Sequence, residues 1–389
     1  MPNNEEMGLV WYCRIILPIF IIFLCSIGSV NAFEQFENSL TVEGRLPRGV
    51  YIGAYLGGGP EDMSSITITE FNRKMRKAHA IFVQYVDIKT SADTSHMIWA
   101  TEVKRNGAMP MFIYDPYDGL DKINIEDITT FASKCKNLRT KVFIVFGHEM
   151  NAPWYPWGNK PEPYKEKFKE IAEIFHKTSP NVRMVWVPTQ SWGYPWGGVD
   201  YGDGYSEYYP EGSGLYGPYV DWVGLNFYER DWDEDDRVPP DMVIANIRRG
   251  GTDGTADFYQ LFSVEKGKPM LISETAAFDP HQDMLSQEQA MKAESIGGIS
   301  TQLIQDWQRN FKNDWIGQLY NIQLLRNDFP NIHAICYFHV LKKESISTRT
   351  HVYPAINADY RIPDNSIYRR LIKNPYFIGG KGPVRIGML

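Results

Sequence analysis

The sequence predicts a single (β/α)8 TIM barrel, an α/β fold in which eight parallel strands close into a cylinder surrounded by helices. Short runs rich in β-branched and aromatic residues recur eight times, most of them nearly continuously hydrophobic, as in strands that are buried on both faces. Longer amphipathic or polar stretches separate these runs, and a doubly wound open sheet is the alternative that such alternation allows. The predicted strands cover residues 50–56, 80–88, 110–114, 142–146, 182–187, 220–227, 269–273 and 332–340.

The segments between the predicted strands carry helix patterns. Residues 163–176 place their apolar side chains on one helical face and their charges on the other. The stretch 279–331 is predicted to be mostly helical, and a final helix is expected near 364–372. Residues 229–254 are acidic and rich in Gly and Pro, which predicts a long loop after the sixth strand, beside the open face of the barrel.

The composition restricts the possible functions. The chain has 389 residues, of which 43% are hydrophobic, enough for a sizeable core. Its net charge of -7 and its lack of a Lys/Arg cluster give no electrostatic footprint for a nucleic acid, so a neutral substrate fits better. Cys135 and Cys336 lie far apart in helix and strand patterns, and we expect buried, inert thiols at both positions.

The N-terminus resembles an export signal. Residues 15–30 are almost wholly apolar, and small residues precede a possible cleavage point after Ala32. We therefore expect 1–32 to be a signal peptide that is removed, and the mature chain, residues 33–389, to be one secreted or periplasmic catalytic barrel with no membrane contact. An uncleaved anchor is the alternative, although Pro18 and a run shorter than about 20 residues disfavour it.

Two glutamates stand at the carboxyl ends of predicted strands. Glu149 follows the fourth strand and Glu274 the seventh, which in a barrel places both carboxylates on one open face. Glycosidic cleavage needs such a pair, because one group protonates the departing oxygen while the other attacks or activates water. Repulsion between the two raises the pKa of one of them, and we expect Glu149 to be the protonated partner.

Other enzyme classes lack their motifs in this chain. After His148 and Glu149 no second histidine completes a zinc-protease motif. The glycines at 57–59 lack the spacing of a nucleotide-binding loop, and no Gly-x-Ser-x-Gly elbow is present. We expect neither a metal nor a cofactor, since two carboxylates suffice for glycoside hydrolysis.

Several segments resemble glycoside hydrolase family 26, which is best known for β-1,4-mannanases. The run HEMNAPWYPWG at 148–158 is similar to the acid/base signature of that family. The segment 219–228, the Ser-Glu-Thr-Ala around Glu274, and the closing segments 357–361 and 374–377 also resemble the family. Together they span most of the mature chain in the expected order, so the resemblance implies a retaining enzyme on a (β/α)8 barrel.

The resemblance also implies roles for individual residues. Glu149 corresponds to the acid/base and Glu274 to the nucleophile. His148 corresponds to a histidine lining the cleavage subsite, Trp154 to a sugar-contacting tryptophan and Tyr228 to the tyrosine that hydrogen-bonds the nucleophile. The chain departs from the family at Val145, where an arginine is common, and at Ala152, where glycine is common. The first departure removes a cation near the strand end and alters the electrostatics of the subsite.

Three further residues are candidates for substrate binding. Trp192 belongs to an aromatic cluster after the fifth strand, and aromatic rings can stack on the C–H face of a pyranose. Asn151 lies within the family-like run. Asp115 ends the third strand on the same face, where it could line the subsite or equally bond loop amides.

The predicted function is therefore a retaining, endo-acting β-glycoside hydrolase whose partner is a polysaccharide, with β-1,4-mannan the leading substrate. Mixed-linkage β-glucan, β-1,3-xylan and an exopolysaccharide are the alternative substrates. A barrel that binds polysaccharide without cleaving it is the alternative from a different class. The sequence leaves the oligomeric state open.

Overall fold

The computed structural model describes residues 48–190, 204–230, 237–248, 257–278, 301–347, 352–364 and 366–381. Within these residues eight parallel strands form a closed barrel, because the last strand pairs with the first from Tyr51 opposite Ala334 to Tyr55 opposite Phe338. The strands are β1 (Val50–Tyr55), β2 (Ile81–Asp87), β3 (Met109–Asp115), β4 (Val142–Phe146), β5 (Val182–Trp186), β6 (Trp222–Asn226), β7 (Met270–Thr275) and β8 (Ile332–Phe338). The predicted fold is confirmed, and the open sheet is wrong.

Each predicted strand is present with bounds that differ by no more than about two residues. Every residue of β1, β4, β5, β6, β7 and β8 is buried, as parallel strands between a packed interior and surrounding helices must be. The short strand Phe377–Ile378 pairs with the beginning of β1 at the opposite end of the barrel from the open face. The described residues from 48 onward belong to one compact unit.

Helices surround the barrel, as predicted. The helix α4 (Pro161–Thr178) buries one apolar face that includes Phe168 and Phe175, which confirms the amphipathic pattern. The first helix, α1, begins at a capping box in which Thr67 and Glu70 satisfy each other's backbone N–H groups. The α-helices are α1 (Ile68–Met75), α2 (Thr94–Arg105), α3 (Ile125–Asn137), α4 (Pro161–Thr178), α5 (Met242–Arg248), α6 (Thr301–Leu319), α7 (Ile322–Asn327) and α8 (Tyr368–Leu371). Single 3-10 turns cover Ile88–Thr90, Leu120–Lys122 and Ser206–Tyr208, and a π-helix covers Tyr259–Val264.

The prediction of a simple loop over 229–254 is wrong in part. The short strand Glu229–Arg230 pairs with Ala277–Phe278, and α5 occupies the following described residues. The helix forms because Val243 and Ile247, four positions apart, both face the core. Of the stretch 279–331, the described part is helical in α6 and α7, as predicted.

An antiparallel hairpin after β8 was not predicted from the sequence. Its strands are Leu341–Ser347 and Val352–Asp359. The hairpin joins the β1–α1 loop, because Asp62 forms a β-bridge with Lys342 and the Met63 N–H donates to the Leu341 carbonyl at 2.7 Å. The loops after the first and last strands are therefore tied together at the rim of the open face.

Cys135 and Cys336, the two cysteines among the described residues, are buried and unpaired, as expected. Cys135 lies in α3 and Cys336 in β8, and burial raises the pKa of each thiol. This makes them poor nucleophiles at neutral pH. None of the helices in the described ranges is long and apolar enough to cross a membrane.

Candidate active site

The parallel strands bring the predicted site residues to one end of the barrel. Asp115 is the last residue of β3, Glu149 follows β4, Tyr228 follows β6 and Glu274 lies near the end of β7. Because all eight strands run in the same direction, these side chains share the carboxyl-end face.

Glu149 is held in a fixed position. Its backbone has a φ of 54°, in the left-handed region that residues other than glycine seldom adopt, and its N–H donates to the Val187 carbonyl at 2.8 Å. The side chain is 8% exposed, and both carboxylate oxygens accept hydrogen bonds. Trp154 Nε1 donates to Oε2 at 2.9 Å, and Asn226 Nδ2 donates to Oε1 at 3.1 Å.

Glu274 differs in how its two oxygens are used. The side chain is 4% exposed, and Tyr228 donates its hydroxyl to Oε2 at 2.9 Å. Oε1 is buried and has no hydrogen-bond partner among the residues that the structure describes. Asn226 stands opposite Glu274 in the register of β6 and β7, while its amide reaches Glu149. Asn226 is therefore paired with Glu274 in the sheet and hydrogen-bonded to Glu149.

The electrostatic surroundings favour a protonated Glu149. Burial raises the pKa of Glu149, the positive charge of His148 opposes that rise, and the negative charge of Glu274 adds to it. The resulting pKa lies above the ordinary glutamate value, so Glu149 holds its proton to a higher pH than a solvated carboxyl group.

His148 forms a buried chain of polar contacts. Its Nδ1 lies 3.0 Å and 2.9 Å from the two carboxylate oxygens of Asp115, and its Nε2 lies 3.1 Å from the Tyr155 hydroxyl. Burial lowers the pKa of His148, but the charge of Asp115, followed by those of Glu274 and Glu149, raises it to about 9. At neutral pH the ring is therefore a cation beside the two glutamates.

Asp115 lies behind His148 and does not reach the surface of the cleft. Its side chain is 0% exposed, and it accepts hydrogen bonds from the His148 backbone N–H and from the Tyr117 hydroxyl, both at 3.3 Å. Of the two roles that the sequence left open, the structure supports bonding to a backbone amide. Direct contact between Asp115 and a substrate does not fit a carboxylate that is wholly enclosed by protein.

The remaining candidates differ in their surroundings. The side chain of Trp154 is 47% exposed, so its ring is open to a ligand while its N–H binds Glu149. Asn151 uses both ends of its amide on Thr189, donating to the carbonyl at 2.8 Å and accepting from the N–H at 2.9 Å. This ties the loop after β4 to the loop after β5. Trp192 lies outside the described residues.

Three residues of the site were missed by the sequence analysis. Asn226 binds Glu149, and Tyr155 binds His148. The third, Tyr85, packs its ring edge-on against His148 at 5.6 Å, and its pKa is raised by burial and then by the charge of Glu274. The position of Asn226 at the end of a predicted strand was the available signal. The described residues contain no cluster of three or more His, Cys, Asp or Glu side chains that could hold a metal ion.

The sequence is similar to that of known glycoside hydrolases. A family model described as glycosyl hydrolase family 26 matches residues 87–250, a range that includes Glu149 and Tyr228 but ends before Glu274. Endoglucanase H of Acetivibrio thermocellus is 26% identical over 340 residues, which cover 82% of this chain and 31% of that protein. The chain thus spans about a third of the length of the curated relative that it matches.

Solved structures with the same fold include two mannanases. The endo-β-1,4-mannanase of Cellulomonas fimi, solved as a double mutant, has a TM-score of 0.51 and 13% identity, and the match covers 89% of this chain and 76% of that chain. The catalytic domain of the family 26 endo-β-1,4-mannanase of Bacillus sp. JAMB-750 has a TM-score of 0.50 and 12% identity, covering 89% and 90%. At these identities the similarity supports the barrel fold alone.

Proposed function

We propose that this chain, which matches the family model described as glycosyl hydrolase family 26 over residues 87–250, is a retaining, endo-acting β-glycoside hydrolase. In this proposal Glu149 is the acid/base, Glu274 is the nucleophile and β-1,4-mannan is the leading substrate. One observation carries the assignment: two buried carboxylates share the open face of the barrel, and one has its pKa raised while the other keeps an oxygen free.

The first step uses the different states of the two glutamates. Glu149 transfers its proton to the glycosidic oxygen as the bond between that oxygen and C1 breaks. Oε1 of Glu274 forms a bond to C1, and Oε2 keeps its hydrogen bond from Tyr228, which fixes the orientation of the carboxylate. The leaving sugar departs with the proton, and a covalent glycosyl-enzyme remains.

The second step reverses the roles. Glu149, now ionised, removes a proton from a water molecule whose oxygen bonds to C1 as the ester bond to Glu274 breaks. The product leaves with its original anomeric configuration, because two inversions have occurred. The hydrogen bonds from Trp154 and Asn226 to Glu149 support this step, since they stabilise the ionised form.

The choice of substrate is supported by the named relatives and by the exposed ring of Trp154. The two solved relatives are named as endo-β-1,4-mannanases, which supports β-mannan, and the curated relative is named an endoglucanase, which keeps a β-glucan as the second candidate. The exposed ring of Trp154, whose N–H is bound to Glu149, is suited to stack on a pyranose next to the cleaved bond.

The test is to assay the purified protein on galactomannan, barley β-glucan and xylans, and to follow the anomer that forms first by NMR. We expect cleavage with net retention. Glu274→Gln and Glu149→Gln should each lower kcat by at least about a thousandfold, whereas Glu162→Gln, at an exposed position, should not change it. An inverted first product would contradict the nucleophile role of Glu274. If wild type and Glu274→Gln bind a glycan equally and neither cleaves it, the binding-only barrel is correct.

We also infer export to the cell exterior or periplasm from the predicted signal at 1–32, which lies outside the described residues. N-terminal sequencing of the protein recovered from its natural host tests this directly. A mature protein that begins near Phe33 is the expected result, and a retained leader would contradict it.

A further inference from the structure

Asn226 is fixed by its backbone at a position between the two glutamates. It ends β6 and is 0% exposed. Its N–H donates to the Pro188 carbonyl at 3.1 Å, and its carbonyl accepts from the Gln190 N–H at 2.8 Å. Because the register of β6 and β7 places it opposite Glu274, its side chain has little freedom except rotation of the amide group.

Only half of this amide is used. Nδ2 donates to Oε1 of Glu149 at 3.1 Å, but Oδ1 is buried and has no hydrogen-bond partner among the described residues. A buried acceptor without a partner costs free energy, and such atoms are rare in folded proteins. Oδ1 belongs to the amide that already bonds Glu149, so the hydrogen of a protonated Glu149 is one that it can receive in another state of the reaction.

Building on the function proposed above, we propose that Asn226 is a positioning residue whose amide follows the proton on Glu149. When Glu149 is ionised, Nδ2 donates to Oε1, as the structure has it. When Glu149 carries its proton on Oε1, the amide turns by half a turn and Oδ1 accepts that hydrogen. The two orientations of an amide have nearly the same shape, so the turn requires no movement of the strand.

The turn supplies a donor to Glu149 at the moment when its negative charge appears. Before transfer the O–H of Glu149 turns from Oδ1 of Asn226 towards the glycosidic oxygen. The O–H bond then breaks, a new O–H bond forms on the glycosidic oxygen, and the electrons of the broken C1–O bond remain on that oxygen. The new carboxylate then receives Nδ2–H of Asn226 on Oε1, in addition to the Trp154 N–H on Oε2. Because a hydrogen bond donated to a carboxylate is stronger than the one that the neutral acid donates to Oδ1, this exchange lowers the barrier to proton donation.

Other groups also act on the charge of Glu149 and must be kept constant in a test. His148 and Tyr155 face it from the segment after β4, Tyr228 from the end of β6 and Glu274 from β7. Substitution of Asn226 leaves all four in place. A difference between variants at this position therefore reports on the amide itself.

The first experiment does not depend on activity. The carboxyl carbon of Glu149 is titrated by ¹³C NMR in wild type and in Asn226→Ala, with the signal assigned through Glu149→Gln. We expect the midpoint to rise by about one pH unit in Asn226→Ala, because the bond lost from the ionised form is charge-assisted and stronger than the bond lost from the protonated form. In wild type the side-chain NH₂ signal of Asn226 should move with the same midpoint as Glu149.

The matched control is Asn246→Ala, which removes another buried amide whose Nδ2 donates to the Met242 carbonyl within α5. It should leave the midpoint of Glu149 unchanged. The proposal is overturned if the midpoint of Glu149 is unchanged in Asn226→Ala, or if it shifts equally in both variants. It is also overturned if the side-chain NH₂ signal of Asn226 does not change as Glu149 titrates.

The second experiment measures kcat against pH for two glycosides, one with an unactivated leaving group and one with a dinitrophenyl group that needs no proton. In Asn226→Ala, kcat for the glycoside with the unactivated leaving group should fall about tenfold, and the alkaline limb of its pH profile should move to higher pH. For the dinitrophenyl glycoside, kcat should fall much less. Equal losses on both would overturn the proposal. If wild type cleaves no glycoside, the proposed hydrolase fails, and the NMR titration still decides whether Asn226 follows Glu149.

Discussion

Replacement of Asp115 by asparagine removes the buried charge that keeps His148 protonated. The two side chains are wholly or almost wholly enclosed, and the pKa of His148 is raised to about 9, about 2.5 pH units above its ordinary value. At about 1.4 kcal/mol per pH unit, this shift corresponds to about 3 kcal/mol of folding free energy linked to the proton on His148, and Asp115 is the largest of the charges that favour that proton.

The direction of the pH dependence follows from the sign of the shift. Because the pKa of His148 is higher in the folded than in the unfolded state, its stabilisation is fully present below about pH 6.5 and is lost as the pH rises through about 9. Urea unfolding of wild type should therefore show the free energy of unfolding falling by about 3 kcal/mol across that window. Asp115→Asn should lose this dependence, while the amide can keep a hydrogen bond to the ring.

A matched control separates this effect from the general pH response. Asp118→Asn removes an exposed carboxylate that pairs with Lys89, and it should reproduce the wild-type slope. In activity assays Asp115→Asn should also move the alkaline limb to higher pH, because the cation that lowers the pKa of Glu149 is lost. Equal slopes in Asp115→Asn and wild type would refute the assignment of a charged His148.

Three further changes have expected outcomes. Tyr228→Phe removes the hydroxyl that fixes Glu274 and should lower kcat about 10- to 100-fold, measured at saturating glycan with the urea midpoint unchanged; a change in KM alone would contradict this. Trp154→Phe keeps a ring but removes the N–H bound to Glu149, so the alkaline limb of the pH profile should move upward, and an unmoved limb would argue against that bond. Thr67→Ala breaks the capping box of α1 and should lower the free energy of unfolding by about 1 kcal/mol in urea, with kcat unaffected.

The sequence by itself determined the barrel and the placement of the two glutamates. A buried parallel strand requires a short continuous apolar run, so 142–146 and its counterparts could be recognised from local pattern alone. When eight such runs alternate with helices, the strands are parallel and their carboxyl ends lie on one face of the barrel. A residue that follows a strand therefore lies on that face. Glu149 and Glu274 could therefore be assigned to one face although 125 positions separate them along the chain.

Apart from Tyr228, whose bond to Glu274 the family resemblance implied, the tertiary structure decided which side chains contact those glutamates and His148. Asn226 contacts Glu149 across one intervening strand, and Asp115 meets His148 from a neighbouring strand. The ends of the predicted strands place these residues on one face, but which of them bond to each other cannot be read from local sequence. The shift in the pKa of Glu149 likewise depends on burial and on opposing charges that converge only after the barrel closes. Local pattern specifies strands because hydrophobic periodicity acts within a few residues, whereas hydrogen bonds and charges in the cleft depend on distances that folding alone creates.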